Sequence, residues 1–167
     1  MRKSAALLHE RLLGFGLTIA SAESLTGGAL AELLSGTAGA SSSYVGGVVS
    51  YATEVKQRLL HVSETTVREH GVVSAQCARE MARGAREWVG ADLGVSTTGV
   101  AGPTTQEDKP VGLVFVAVAD ADGTEVHELH LAGDRTEIRA ETCTRALEAI
   151  AERLDRWTAH EGVGGAT

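Results

Sequence analysis

The chain predicts an α/β domain, a three-layer α/β/α sandwich around a mixed central sheet. Short apolar runs rich in Val, Ala and Leu alternate with longer segments whose apolar residues recur at helical spacing, the pattern of a sheet covered by helices. In the last third, two strand-like runs meet across Asp122-Gly123, a hairpin signal that adds antiparallel strands to an otherwise parallel order. With 167 residues, 43% of them hydrophobic and 22% charged, the chain can bury one core without disulfide or metal staples. We expect one domain over residues 1–160, and a Gly-rich, disordered tail over residues 161–167.

The elements follow in order. Leu7, Leu8, Leu12 and Leu13 mark a helix over Ser4 to Leu13, ended by Gly14 and Gly16. Leu17 to Ala22 reads as a short buried strand. Leu25 to Leu34 then reads as a helix with Gly27 and Gly28 in its first turn, so Ser24 falls where a strand gives way to a helix. Tyr44 to Tyr51 is Val-rich and strand-like. Thr53 is the expected N-cap of a short helix carrying Lys56, Leu59 and Leu60. Thr66 and Glu69 fit a capping box. Ser74 is the expected cap of a long helix with Ala78, Met81, Ala82, Ala85, Trp88 and Val89 on its inner face. Leu93 to Thr98 is a strand running into the loop Gly99 to Pro103. Val111 to Ala119 and Glu125 to Leu131 form the hairpin. Asp134 caps a last helix with the stripe Ile138, Cys143, Leu147, Ile150, Leu154 and Trp157.

Composition narrows the function. A formal net charge of −7 disfavours a general nucleic-acid surface, which needs a basic stripe, but leaves room for a small phosphorylated ligand held locally. Cys77 and Cys143 lie in helical segments outside any CxxC pair and read as buried free thiols of a reducing compartment. There is no signal-like start and no apolar run of membrane-spanning length, so a soluble cytoplasmic protein is expected. The six histidines show no metal-binding spacing. His127 and His130, three apart on a strand, face opposite sides. No G-x-S-x-G elbow, P-loop or G-x-G-x-x-G occurs. A nucleophile here would have to work without histidine or metal.

Three loops after predicted strands carry the chemistry, and in α/β sheets ligands collect beyond the carboxyl ends of strands. Ser24 can be a nucleophile, with backbone amides around Thr26 to Gly28 holding an oxyanion at the helix start; the competing use is that Ser24 or Thr26 only caps the helix. Lys56 falls in a first helical turn, where a cation is disfavoured and a neutral amine favoured; the competing use is a solvated lysine. Tyr51, five positions earlier, can donate to a substrate or relay a proton, or simply end a strand in water. Thr98, Gly99, Ala101 and Gly102 belong to a small-residue loop that can turn N–H groups toward an anion, or make a tight turn. Lys109 and Arg135 are candidate phosphate partners, or solvated charges.

Taken together, several ordered motifs resemble the C-terminal domain of the CinA family: Ala22-Glu23-Ser24 with Thr26-Gly27-Gly28, Val49-Ser50-Tyr51 with Lys56, His70-Gly71-Val72-Val73-Ser74, and Thr98 to Pro103 followed by Lys109-Pro110-Val111-Gly112 and Gly133-Asp134-Arg135. The resemblance runs from about Gly16 to Leu154. It implies a cofactor-independent amidohydrolase, often dimeric, that deamidates nicotinamide mononucleotide to nicotinic acid mononucleotide and ammonia. The family's serine, tyrosine and lysine fall on Ser24, Tyr51 and Lys56. Leu25 stands where many members have Cys, and Thr104, Thr105 and Gln106 stand where glycines are common. Two other readings stay open: a nucleotide-sensing or partner-binding module linked to competence and DNA damage, and a hydrolase of another small amide.

Overall fold

The computed structural model describes residues 1–161. The tail expected over 161–167 lies, beyond Glu161, outside the described residues. The chain runs α1 (Arg2–Phe15), β1 (Ile19–Glu23), α2 (Ala29–Ser35), a 3-10 turn (Ala40–Ser42), β2 (Tyr44–Val49), α3 (Thr53–Leu60), α4 (Glu64–His70), α5 (Ala75–Val89), β3 (Leu93–Gly99), β4 (Leu113–Ala119), β5 (Thr124–His130) and α6 (Arg135–Glu161).

The five strands form one mixed sheet in the order β2-β1-β3-β4-β5. β2, β1 and β3 are parallel, and β4 and β5 are antiparallel additions. Strand alternation builds a core on each face. Val114, Val116 and Val118 point into a cluster with Leu8 and Leu12 of α1, Leu30 of α2 and Ile138, Leu147 and Ile150 of α6. Phe115, Ala117 and Ala119 point into the other, with Leu60 of α3 and Ala78, Met81 and Ala82 of α5. The predicted sandwich is therefore the observed one. Small residues let its layers approach closely: a Cβ on Gly84 would lie 2.1 Å from the Leu60 carbonyl, and one on Gly94 2.0 Å from that of Ala82.

Several local expectations are corrected. Gly27 and Gly28 do not open α2. Their φ values of 58° and 98° are left-handed, so the helix starts only at Ala29. Thr53 is the first helical residue of α3; the cap position belongs to extended Ala52, with no side-chain bond. α4 is capped by Ser63, whose hydroxyl accepts from the Thr66 amide at 3.0 Å, so Thr66 sits inside the helix it was expected to start. Ser74 and Asp134 cap as expected: Ser74 accepts from Cys77, and Asp134 from Thr136 and Glu137 while Glu137 returns a bond to the Asp134 amide. Trp88 is half exposed and Val89 37% exposed, because the α5 side chains in the core end at Ala85.

The switch in strand order lies at β1. The chain leaves β1 through α2 on one face to reach β2, then crosses back through α3 to α5 on the other face to reach β3. The carboxyl ends of β1, β2 and β3 thus meet at one edge, where α/β sheets bind ligands. Glu23 is in register with Val49 on one side and Thr97 on the other.

Candidate active site

The Ser24 loop is built around a buried carboxylate. Glu23, the last residue of β1, is 1% exposed. Its Oε2 accepts from the Gly28 and Leu30 amides at 2.9 and 3.0 Å, and its Oε1 from Ala31 at 2.8 Å. An anion at the start of α2 satisfies orphan amides and meets the positive end of the helix dipole. That corrects the expected oxyanion site: the Gly28 amide serves Glu23, and the Gly27 amide donates to the Ser24 carbonyl at 3.2 Å. The Leu25 and Thr26 amides donate to no acceptor among the described residues. Thr26 itself is buried and shares a 2.7 Å hydrogen bond with Thr97, which ties the loop to β3.

Lys56 approaches from the neighbouring strand. β2 stops at Val49, and Ser50 stays bound to the end of β1 through its amide, which donates to the Glu23 carbonyl at 2.8 Å. α3 then turns Lys56 back beneath the serine. The side chain is 1% exposed; Nζ lies 3.0 Å from Ser24 Oγ and 2.5 Å from the Ser50 carbonyl. Burial holds this amine below the ordinary lysine range, while the charges of Cys77 and Glu107 oppose the shift. At neutral pH the Cys77 part falls away, because burial pushes that thiol up to about 12 and leaves it uncharged, and Glu107 remains as the opposing charge. No carboxylate pairs with Lys56 among the described residues. Nζ is placed to donate to both oxygens; a neutral amine keeps the bond to the Ser50 carbonyl and can instead accept from the Ser24 hydroxyl.

Ser24 opens onto a cavity of about 300 Å³ shared by Leu25, Tyr51, Gly99, Val100, Ala101, Gly102, Thr104, Thr105, Gln106 and Arg135. Arg135, the first residue of α6, donates to the Gly102 carbonyl at 2.9 Å and to the Tyr51 hydroxyl at 3.0 Å. A cation thus sits at the rim of an otherwise uncharged cavity. A larger cavity of about 590 Å³ lies by the β4–β5 hairpin. Asp120, Glu125, Arg153 and Arg156 there are paired with one another, and its lining has no serine, cysteine, lysine or histidine.

Six of the residues named from sequence line this cavity: Ser24, Tyr51, Gly99, Ala101, Gly102 and Arg135. Lys56 lies against its serine. The others serve the frame. Thr98 is buried and donates to the Val72 carbonyl at 2.6 Å. Lys109 donates to the His70 carbonyl at 2.7 Å and pairs with Glu107 at 3.3 Å, away from the cavity. Tyr51 bonds Arg135 and does not stand between Ser24 and Lys56, which touch directly.

From sequence, Glu23 and Ser50 were named only as motif residues without a role, and Glu107 and Arg139 were not named. Glu23 carried a signal, a charge at the end of an apolar run beside Ser24. Glu107 accepts from the Val72 and Val73 amides at 3.0 and 3.2 Å and so clamps the loop bearing Thr104 to Gln106 onto the start of α5. Burial raises its pKa, but those amides and Lys109 outweigh it and hold the carboxyl below the ordinary range. Arg139 donates through Nε to the Leu25 carbonyl at 3.1 Å and through Nη2 to that of Thr26 at 2.6 Å.

The chain is similar to known proteins in sequence and in fold. The sequence profile of the CinA C-terminal domain matches residues 1–154. A putative competence-damage inducible protein of Bacillus velezensis is 45% identical over 84% of this chain and 34% of its own length, and a CinA-like protein of Geobacter sulfurreducens is 47% identical over 83% and 34%. The chain thus spans about a third of the length of these curated relatives. Among solved structures, a competence-damaged protein (CinA) superfamily protein of Klebsiella pneumoniae superposes with a TM-score of 0.91 at 32% identity, covering 93% of this chain and 98% of that one. The competence/damage inducible protein CihA of Agrobacterium tumefaciens gives 0.87 at 36% identity, covering 92% and 94%.

Proposed function

Since the chain belongs to the CinA C-terminal domain family, we propose that it is an amidohydrolase that deamidates nicotinamide mononucleotide with Ser24 as nucleophile and Lys56 as base. The observation that carries this proposal is the 3.0 Å contact between Ser24 Oγ and a buried Lys56 amine that lacks a carboxylate partner. Such a pair does what a serine–histidine pair does, provided the amine is neutral.

Ser24 Oγ attacks the carboxamide carbon while its proton passes to Lys56 Nζ. The tetrahedral oxyanion collapses, Lys56 returns the proton to the leaving nitrogen, and ammonia departs from an acyl-serine. Water, losing a proton to the same amine, then hydrolyses the ester to a carboxylate and restores Ser24. Arg135, with the amides of Ala101 and Gly102, takes the phosphate of the substrate, and Tyr51 orients that end through its bond to Arg135. The active protein is a homodimer in this proposal, with Ala- and Gly-rich helix faces against a copy; a monomer mass by light scattering at micromolar concentration would reject that part.

The test is ammonia release from nicotinamide mononucleotide, run beside nicotinamide, nicotinamide riboside and unrelated small amides. Turnover that favours the mononucleotide supports the substrate. Turnover of another amide alone reassigns the substrate, and binding of the mononucleotide without ammonia release points to a sensing module.

A further inference from the structure

The loop from Ser24 to Gly28 is gripped from two sides. Glu23 holds its far end by the Gly28, Leu30 and Ala31 amides, and Arg139 of α6 holds its near end by the Leu25 and Thr26 carbonyls. The Gly27 amide is spent on the Ser24 carbonyl. That leaves the amides of Leu25 and Thr26 beside the serine with no acceptor among the described residues. Both residues are buried, and a buried amide without a partner is costly. Elsewhere in this part of the fold the buried hydroxyls of Ser96, Thr97 and Thr98 are all bonded. Two unpaired amides next to a nucleophile are groups awaiting an acceptor that forms only during reaction.

We propose that Arg139 is a positioning residue that holds the Leu25 and Thr26 amides as the oxyanion donors of the Ser24 reaction; this rests on the acyl transfer proposed above. In a trans peptide the N–H points away from the C=O. A guanidinium bonded to the Leu25 carbonyl therefore leaves the Thr26 N–H on the opposite side of that peptide, and its positive charge polarises the unit into a stronger donor. The two-point grip, through Nε and Nη2, fixes the Leu25–Thr26 and Thr26–Gly27 peptide units, which a single-headed cation cannot do; the Gly27 amide so held donates to the Ser24 carbonyl, and that bond in turn orients the Leu25 N–H on the other side of the Ser24–Leu25 peptide. The hydrogen bonds of the Arg139 guanidinium among the described residues go to these two carbonyls, so it acts on the loop and not on the substrate. Gly27 belongs to the same device: at φ 58° its Cα hydrogen faces Arg139, and a Cβ there would lie 3.5 Å from Nη2.

The experiment uses Arg139→Lys and Arg139→Ala in the whole chain, with folding checked by circular dichroism. Steady-state turnover of nicotinamide mononucleotide should show kcat reduced by about tenfold to a hundredfold in Arg139→Ala, below the roughly 10²–10³-fold typical when an oxyanion donor is removed outright, with KM changed by less than about twofold. Free guanidinium at sub-denaturing concentration should recover part of the kcat of Arg139→Ala and none of that of Ser24→Ala. If Arg139→Ala does not fold, Arg139→Lys carries the test. A second readout is the rate at which a fluorophosphonate labels Ser24, where the Oγ–P bond forms, fluoride leaves and the phosphoryl oxygen needs the same donors. If wild-type protein is labelled but releases no ammonia from the mononucleotide, the substrate proposal fails while the Arg139 assignment is still read from the labelling rate. A folded Arg139 variant that labels and turns over at the wild-type rate, or one whose KM rises with kcat intact, would overturn the assignment.

Discussion

Replacing Lys56 by methionine should abolish activity and at the same time make the protein more stable. The side chain is 1% exposed and has two hydrogen-bond partners, Ser24 and the Ser50 carbonyl. Burying an unpaired amine costs several kcal/mol, and two hydrogen bonds at about 1–1.5 kcal/mol each offset only part of that. Methionine has similar length and no charge, so Lys56→Met should gain about 1–2 kcal/mol at neutral pH. For a chain of this size that is roughly 2–8 °C in Tm.

The sign with pH follows from the depressed pKa. Between the lowered folded value and the ordinary 10.5, the unfolded chain binds the extra proton, so wild-type stability rises with pH across that window. The variant has no such group, and its advantage should shrink as pH is raised toward 10.5. Urea unfolding followed by circular dichroism from pH 6 to 10, with ammonia release in parallel, measures both effects. Lys56→Arg, which keeps the charge but cannot deprotonate, should be as inactive as Lys56→Met. A Lys56→Met protein less stable than wild type at pH 7, with a gap that does not move with pH, would refute the neutral-amine reasoning. An active Lys56→Arg enzyme would move Lys56 into substrate binding.

Three further outcomes are expected. Ser24→Ala should lose roughly a thousandfold or more in kcat, the scale of removing a nucleophile, with Tm within a few degrees of wild type; near wild-type turnover in folded protein would remove Ser24 from that role. Arg135→Ala should raise KM for nicotinamide mononucleotide about tenfold and leave nicotinamide riboside unaffected, because the riboside has no phosphate; equal efficiency of the two substrates in wild-type protein would mean that no phosphate site exists. Glu107 is held below the ordinary carboxylate range, so it contributes stability that is present above the ordinary value near 4.5 and lost as pH falls through its lowered one; Glu107→Gln should flatten that acid limb in unfolding measurements and, by loosening the Val72–Val73 clamp, raise KM more than it lowers kcat.

What the sequence determined by itself was local. The periods of α1, α5 and α6 and the apolar runs of β1, β3 and β4 come from alternation that any single segment carries, and the Asp122-Gly123 turn needs only its own residues to join β4 to β5. Ser74 and Asp134 were legible as caps because their partners lie two or three residues away. Ser24, Tyr51 and Lys56 could be singled out, but each residue alone was equally a cap, a strand end or a solvated charge.

The tertiary structure decided what each of them touches. Ser24 and Lys56 are 32 residues apart, and only the parallel pairing of β1 with β2 brings Oγ within 3.0 Å of Nζ. Burial of Lys56 depends on packing from several elements, which no window of sequence contains. The proposed oxyanion donors moved for the same reason: Glu23 took the amides at the start of α2, and Arg139, more than a hundred residues away, took the carbonyls of Leu25 and Thr26. Lys109 and Arg135 looked alike as charges in the sequence. Glu107 and the His70 carbonyl hold the first away from the cavity, while the first turn of α6 carries the second to its rim. A segment's period records how it folds, whereas the state of a buried amine, carboxylate or amide is set by the atoms that surround it, and those arrive from distant parts of the chain.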